Sequence, residues 1–151
     1  MRVPVLVAAA GLLLAAASAT AAGNYGFKVQ VTLSPKAAAL LTQKHESITV
    51  SAMYEGAPTP AGKKHADDMG QVGLGDESVT IPGANGTAVI TGNKVDPKAL
   101  PWVVKPQVLI NVFSARHSDP NNLLDCGIFE DDVAKAQAHP IQIACKVIGE
   151  S

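Results

Sequence analysis

Residues 27–34 read FKVQVTLS, so Phe27, Val29, Val31 and Leu33 alternate with Lys28, Gln30, Thr32 and Ser34. A period of two gives a strand one buried and one wet face. Ser34-Pro35 then opens a helix through residue 45. Ser34 can accept from the orphan amides of the first turn, and Pro35 loses no hydrogen bond at the first helical position. Lys44 and His45 suit the negative end of that helix. Ile48, Val50, Ala52 and Tyr54 mark a second alternating strand.

Residues 56–77 break the pattern with Gly and Pro, leaving a short strand around 71–74. The runs 79–81 and 87–91 flank PGANG, a hairpin signal in which Asn85-Gly86 suits positive φ. Residues 92–106 hold Pro97, Pro101 and Pro106 and read as a loop around Trp102. Residues 107–115 form the most apolar strand, expected to be central, and 116–122 a polar turn. Strands over 124–130 and 141–148 flank a short helix over 131–138.

Cys126 and Cys145 sharpen the end of the chain. If the last two strands are antiparallel neighbours with these residues opposed, Ile128 faces Ile143 and Glu130 faces Ile141, and both cysteines share a face. Directly opposed residues lie within disulfide reach. A parallel pair needs a crossover of about a dozen residues, and only about ten are available. The expected fold is therefore mainly β: an antiparallel β-sandwich of about seven strands, immunoglobulin-like or transthyretin-like, with two short helices. A small β-barrel is the alternative. The long 56–77 excursion favours the sandwich, as a connection between sheets.

The pattern of residues 1–22 is different. Met1-Arg2 precedes an apolar run from Val5 to Ala17, interrupted only by Gly11, and then small residues through Ala22. This is the plan of a cleaved secretory signal peptide, with the cut expected between residues 19 and 22. The run of about 13 residues is short of the roughly 20 needed to span a bilayer. No Arg-Arg pair and no cysteine near the cut point to twin-arginine export or a lipid anchor. Residues 23–151 then form one β-rich domain, periplasmic or secreted, with no stable membrane insertion once the signal is removed. An even cysteine count in that compartment reads as a disulfide.

Composition adds mainly exclusions. The apolar fraction of 47% is inflated by the signal, and the net charge of -1 becomes more negative without Arg2. That balance carries no electrostatic footprint for nucleic acid.

Four groups of residues could carry chemistry. Lys63, Lys64, His65, Asp67, Asp68 and Met69 share one loop, which also reads simply as a solvated polar loop. Ser114, His117 and Asp119 hold the residue types of a hydrolytic triad, but triads converge from separate elements around an oxyanion hole, and no nucleophile elbow is present. Glu130, Asp131 and Asp132 fall where a helix begins, and acids there complement its positive end; calcium-loop spacing is missing. Trp102 is the one aromatic expected to be an exposed recognition anchor.

The sequence thus points to an exported, non-enzymatic binding module. An unidentified protein or small molecule would be contacted through loops 56–77, 92–106 and 116–122, with Lys63, Lys64, His65, Asp67, Trp102 and Arg116 as candidate contacts. The alternative is a periplasmic copper or zinc protein using His65, Met69 and His117. No other cofactor is expected. A small hydrolase is the least favoured reading.

Overall fold

A computed structural model describes residues 24–151, so the predicted signal segment lies outside the described residues. The elements run β1 (Phe27–Leu33), α1 (Pro35–Lys44), β2 (Ile48–Gly56), β3 (Val72–Ile81), β4 (Gly86–Ile90), β5 (Gln107–Ser114), β6 (Leu124–Cys126), β7 (Phe129–Asp132), α2 (Val133–Ala138) and β8 (Ile141–Val147). They build two four-stranded sheets, ordered β4-β1-β8-β6 and β3-β2-β5-β7. The β1–β8 pair is parallel and the other ladders are antiparallel. The first two strands sit in opposite sheets, unlike the immunoglobulin arrangement, where they share one.

The alternating positions dictate the core. Val29, Val31, Ala88, Ile90, Ile141 and Ile143 of the first sheet are buried, as are Ile48, Val50, Ala52, Tyr54, Val108, Ile110 and Val112 of the second. β5 is an internal strand of its sheet, between β2 and β7, as its apolar run requires. α1 begins as expected: Ser34 Oγ accepts from Ala37 N at 3.1 Å with Pro35 next. The helix closes on His45 in the left-handed region at φ 50° and turns Ala37 and Leu41 inward.

Three local expectations are corrected. The runs flanking PGANG do not form a hairpin, because β3 pairs with β2 while β4 pairs with β1 in the other sheet. Neither Asn85 nor Gly86 takes the positive φ a tight hairpin needs. Instead Asn85 Oδ1 accepts from Leu33 N at 2.8 Å, tying the turn to the end of β1.

The 56–77 excursion returns to its own sheet, joining β2 to β3, and is the one connection between successive strands that does not change sheet. β3 spans Val72–Ile81, longer than the short strand expected; Gly75 at φ 128° marks a bulge opposite Tyr54 and Glu55.

Segment 124–130 is two strands. β6 stops at Cys126, and Gly127-Ile128 carry the chain to the second sheet, where Phe129 pairs with Ile110 and Glu130 with Leu109. Ile128 is therefore 67% exposed rather than opposite Ile143, and Ile141 lies beside Val29. The opposed cysteines are found as expected: Cys126 faces Cys145 in the β6–β8 ladder, with Cα atoms 4.1 Å apart and a disulfide between them.

Candidate functional site

The loops around Trp102 and His65 are joined by backbone hydrogen bonds. Thr59 N donates to Trp102 O at 2.8 Å, Val104 N to Ala57 O at 2.9 Å, and Thr59 Oγ1 to Pro101 O at 3.3 Å. Pro58 and Val103 form an isolated antiparallel bridge. Leu100–Trp102 and Lys63–His65 each make a single 3₁₀ turn. Their approach brings the His65 imidazole onto the Trp102 indole, with ring centroids 3.6 Å apart and planes 12° from parallel. Trp102 is half-buried, whereas Lys63, Lys64 and His65 are exposed around it. An aromatic platform with adjoining cations can stack on a flat or apolar group and pair with an anion.

Gly62 permits this approach. A Cβ at that position would stand 2.0 Å from Trp102 O, a backbone atom that cannot move aside without breaking the bond from Thr59. Gly62→Ala is therefore expected to lower stability by about 2 kcal/mol through overpacking. Trp102 is the only tryptophan in the chain, so its emission reports this end directly. A lowered urea midpoint together with altered native-state emission is the expected result.

Asp67 lies on the same loop but is occupied locally. Its Oδ1 accepts from Met69 N and Gln71 N, both at 2.9 Å, and so shapes the turn leading into β3. Met69 is 84% exposed at the tip of that turn.

Loop 116–122 is at the other end of the sheet. β2 and β5 are antiparallel, with Ile48 opposite Ser114 at one end and Glu55 opposite Gln107 at the other. His65 follows the second end and His117 the first, so about 20 Å of strand separates them. Ligands of one ion stand within about 2–2.5 Å of it, so His65 and His117 do not share a site. Among the described residues, no group of three or more His, Cys, Asp or Glu side chains is placed to hold a metal. Arg116 is also remote from Trp102; its guanidinium lies 5.6 Å from the centre of the Phe113 ring, at a backbone φ of 60°.

What organises loop 116–122 is Glu46, a residue the sequence pattern did not single out. Its carboxylate is buried and accepts from Ser47 N at 2.8 Å, His117 N at 3.2 Å, Ser118 N at 2.9 Å, Ser118 Oγ at 3.0 Å and Asp119 N at 3.3 Å. Burial pushes its pKa upward, but donation from Ser118, Ser47 and His117 outweighs this and holds it down at about 2.

No catalytic triad forms in that loop. Ser114 is fully buried; its Oγ accepts from Leu123 N at 2.9 Å and lies 3.3 Å from Asn122 Oδ1. The Asp119 carboxylate is bound to Lys44 at 2.8 Å, which lowers its pKa. No hydrogen bond links Ser114, His117 and Asp119 into a relay.

Glu130, Asp131 and Asp132 lie in β7 rather than in a helical turn. Asp132 stands at the N-cap of α2 without a side-chain cap bond; it pairs with Lys105 at 2.6 Å, while Asp131 pairs with Lys135 at 2.9 Å. The acids thus stand at the start of α2 as expected, and ion pairing to Lys105 and Lys135 adds to that position.

A second buried carboxylate, Glu77, accepts from Thr91 N at 2.7 Å, Thr91 Oγ1 at 2.9 Å and Gly92 N at 2.9 Å, anchoring the exit of β4. Its sequence signal was present: Glu77 is in phase with Val79 and Ile81, on the inward side of β3. Glu46 has no comparable signal, since it occupies a turn outside both periodicities.

No protein family, curated protein or solved structure matches this chain.

Proposed function

We propose that this protein is an exported, non-enzymatic binding module. It contacts a protein or small ligand through the end built by loops 56–77 and 92–106. The carrying observation is their convergence on the stacked His65–Trp102 pair, with Lys63 and Lys64 exposed beside it. Loops that carry an aromatic and free cations on a rigid scaffold are favoured places for recognition. Loop 116–122 contributes less to this reading, since its backbone amides are held by Glu46.

Export rests on the leader pattern of residues 1–22 and is supported by the disulfide. Among the described residues, no helix is long and apolar enough to cross a membrane. The periplasm or the extracellular space is the proposed location.

Affinity capture from an envelope extract tests the reading. Immobilised wild-type protein is expected to retain a partner in a concentration-dependent way. Trp102→Ala, and Lys63→Ala with Lys64→Ala, are expected to weaken retention about tenfold or more, as for interface anchors; the lysine variant leaves the urea midpoint nearly unchanged, whereas Trp102→Ala also lowers it, because the indole packs against the core. Retention of nothing above background, or equal retention by all variants, contradicts the proposal.

A further inference from the structure

The outer face of the β3-β2-β5-β7 sheet carries apolar side chains that the fold leaves uncovered. Val108, Ile110 and Val112 of β5 point inward, so Leu109, Asn111 and Phe113 point outward. Their opposed residues on β2 are Met53, Ser51 and Thr49. Met53 is 40% exposed, and Leu109 and Phe113 are half-buried. Neither described helix packs on this face. α1 packs against β1 and β8 of the other sheet, and α2 touches strands of both sheets, which places it at the side of the sandwich.

Charge divides the same face into two ends. At one end Glu130 stands opposite Leu109 and Glu55 opposite Gln107, and neither acid forms an ion pair among the described residues. Burial and the nearby charges of Glu130 and Asp67 raise the Glu55 carboxyl above its ordinary value, as for acids crowded without a cation. At the other end the Arg116 guanidinium lies over the Phe113 ring, also without a carboxylate among the described residues. The two ends complement each other between copies. A twofold axis set between two such faces, across the strands at the Ser51–Asn111 pair, lays Phe113 over Leu109 of the second copy. It also brings Arg116 beside Glu130 of that copy. Such an isologous contact repeats every pairing twice.

We infer that this protein forms a homodimer through the outer face of the β3-β2-β5-β7 sheet, with the Arg116 end of each copy on the Glu55–Glu130 end of the other. Four strands about 4.8 Å apart, about eight residues long at about 3.3 Å each, give a footprint of about 500 Å² per copy. That is at the lower limit for a specific interface, so the dimer is weak and reversible.

Sedimentation velocity from micromolar to millimolar protein tests the inference. A monomer that gives way to a dimer over that range is the expected result. Arg116→Glu and Glu130→Arg are each expected to raise the dimer dissociation constant about tenfold or more, because like charges then meet twice. An equimolar mixture of the two variants is expected to recover association, since every facing pair is again of opposite sign. Asn111→Lys sets a cation against its own copy at the axis, on an exposed position, and is expected to abolish the dimer with an unchanged urea midpoint. A monomer throughout the range overturns the inference. A dimer unaffected by Asn111→Lys overturns the choice of face, and a mixture no more associated than its components overturns the pairing of the ends.

Discussion

Glu46→Ala is expected to cost about 3–5 kcal/mol of folding stability, because it strands several amides that now donate to a buried carboxylate. Those amides belong to Ser47, His117, Ser118 and Asp119, so the loss falls on both the α1–β2 turn and the loop after β5. The loss is read as a lowered urea midpoint with an unchanged slope. The same carboxylate gives stability a pH dependence of definite sign. Its folded pKa, at about 2, lies below the ordinary value of 4.5. Its stabilisation is therefore fully present above the ordinary value and is lost as pH falls from about 4.5 through about 2. Glu46→Gln keeps one acceptor oxygen without the titration, so its stability should vary less across that window than the wild type's. Equal pH dependence in the two proteins would mean that Glu46 is not the group responsible.

Removing the disulfide is the other large effect. Cys126→Ala with Cys145→Ala is expected to destabilise the domain by about 3 kcal/mol, mostly by freeing the unfolded chain. The two residues are 19 apart in sequence, so the loop they close is short and the effect moderate. Alanine is the suitable replacement because Cys145 is buried and a serine hydroxyl would arrive without a partner. Wild-type protein unfolded in urea with dithiothreitol should approach the midpoint of the double variant. Coincident midpoints for oxidised wild type and double variant would show that the cross-link contributes nothing.

The parts of the fold legible in the sequence are those governed by local periodicity. Phe27, Val29 and Val31, or Ile48, Val50, Ala52 and Tyr54, read as inward positions and are buried. Ser34-Pro35 reads as a helix start and caps α1. The register that opposes Cys126 to Cys145 follows from period two and disulfide reach together.

Periodicity does not say which sheet a strand joins. It therefore did not distinguish a hairpin at PGANG from a crossing between sheets, or show that the chain leaves the first sheet at Gly127 to pair Phe129 with Ile110. The candidate site was legible as residue types in two loops. Their convergence was not, because it depends on Gly62 lying against the Trp102 carbonyl, a contact between loops distant in the chain. Lys63, Lys64, His65 and Trp102 end together, while Arg116 and His117 lie at the far end of the strands.

The central claim is that recognition takes place at the His65–Trp102 end. Amide hydrogen exchange of the protein alone and with its captured partner tests this directly. Added protection is expected in residues 57–66 and 99–104, with none in 116–122. Protection confined to 116–122 or to the outer faces of the sheets, with 57–66 and 99–104 unchanged, would contradict it.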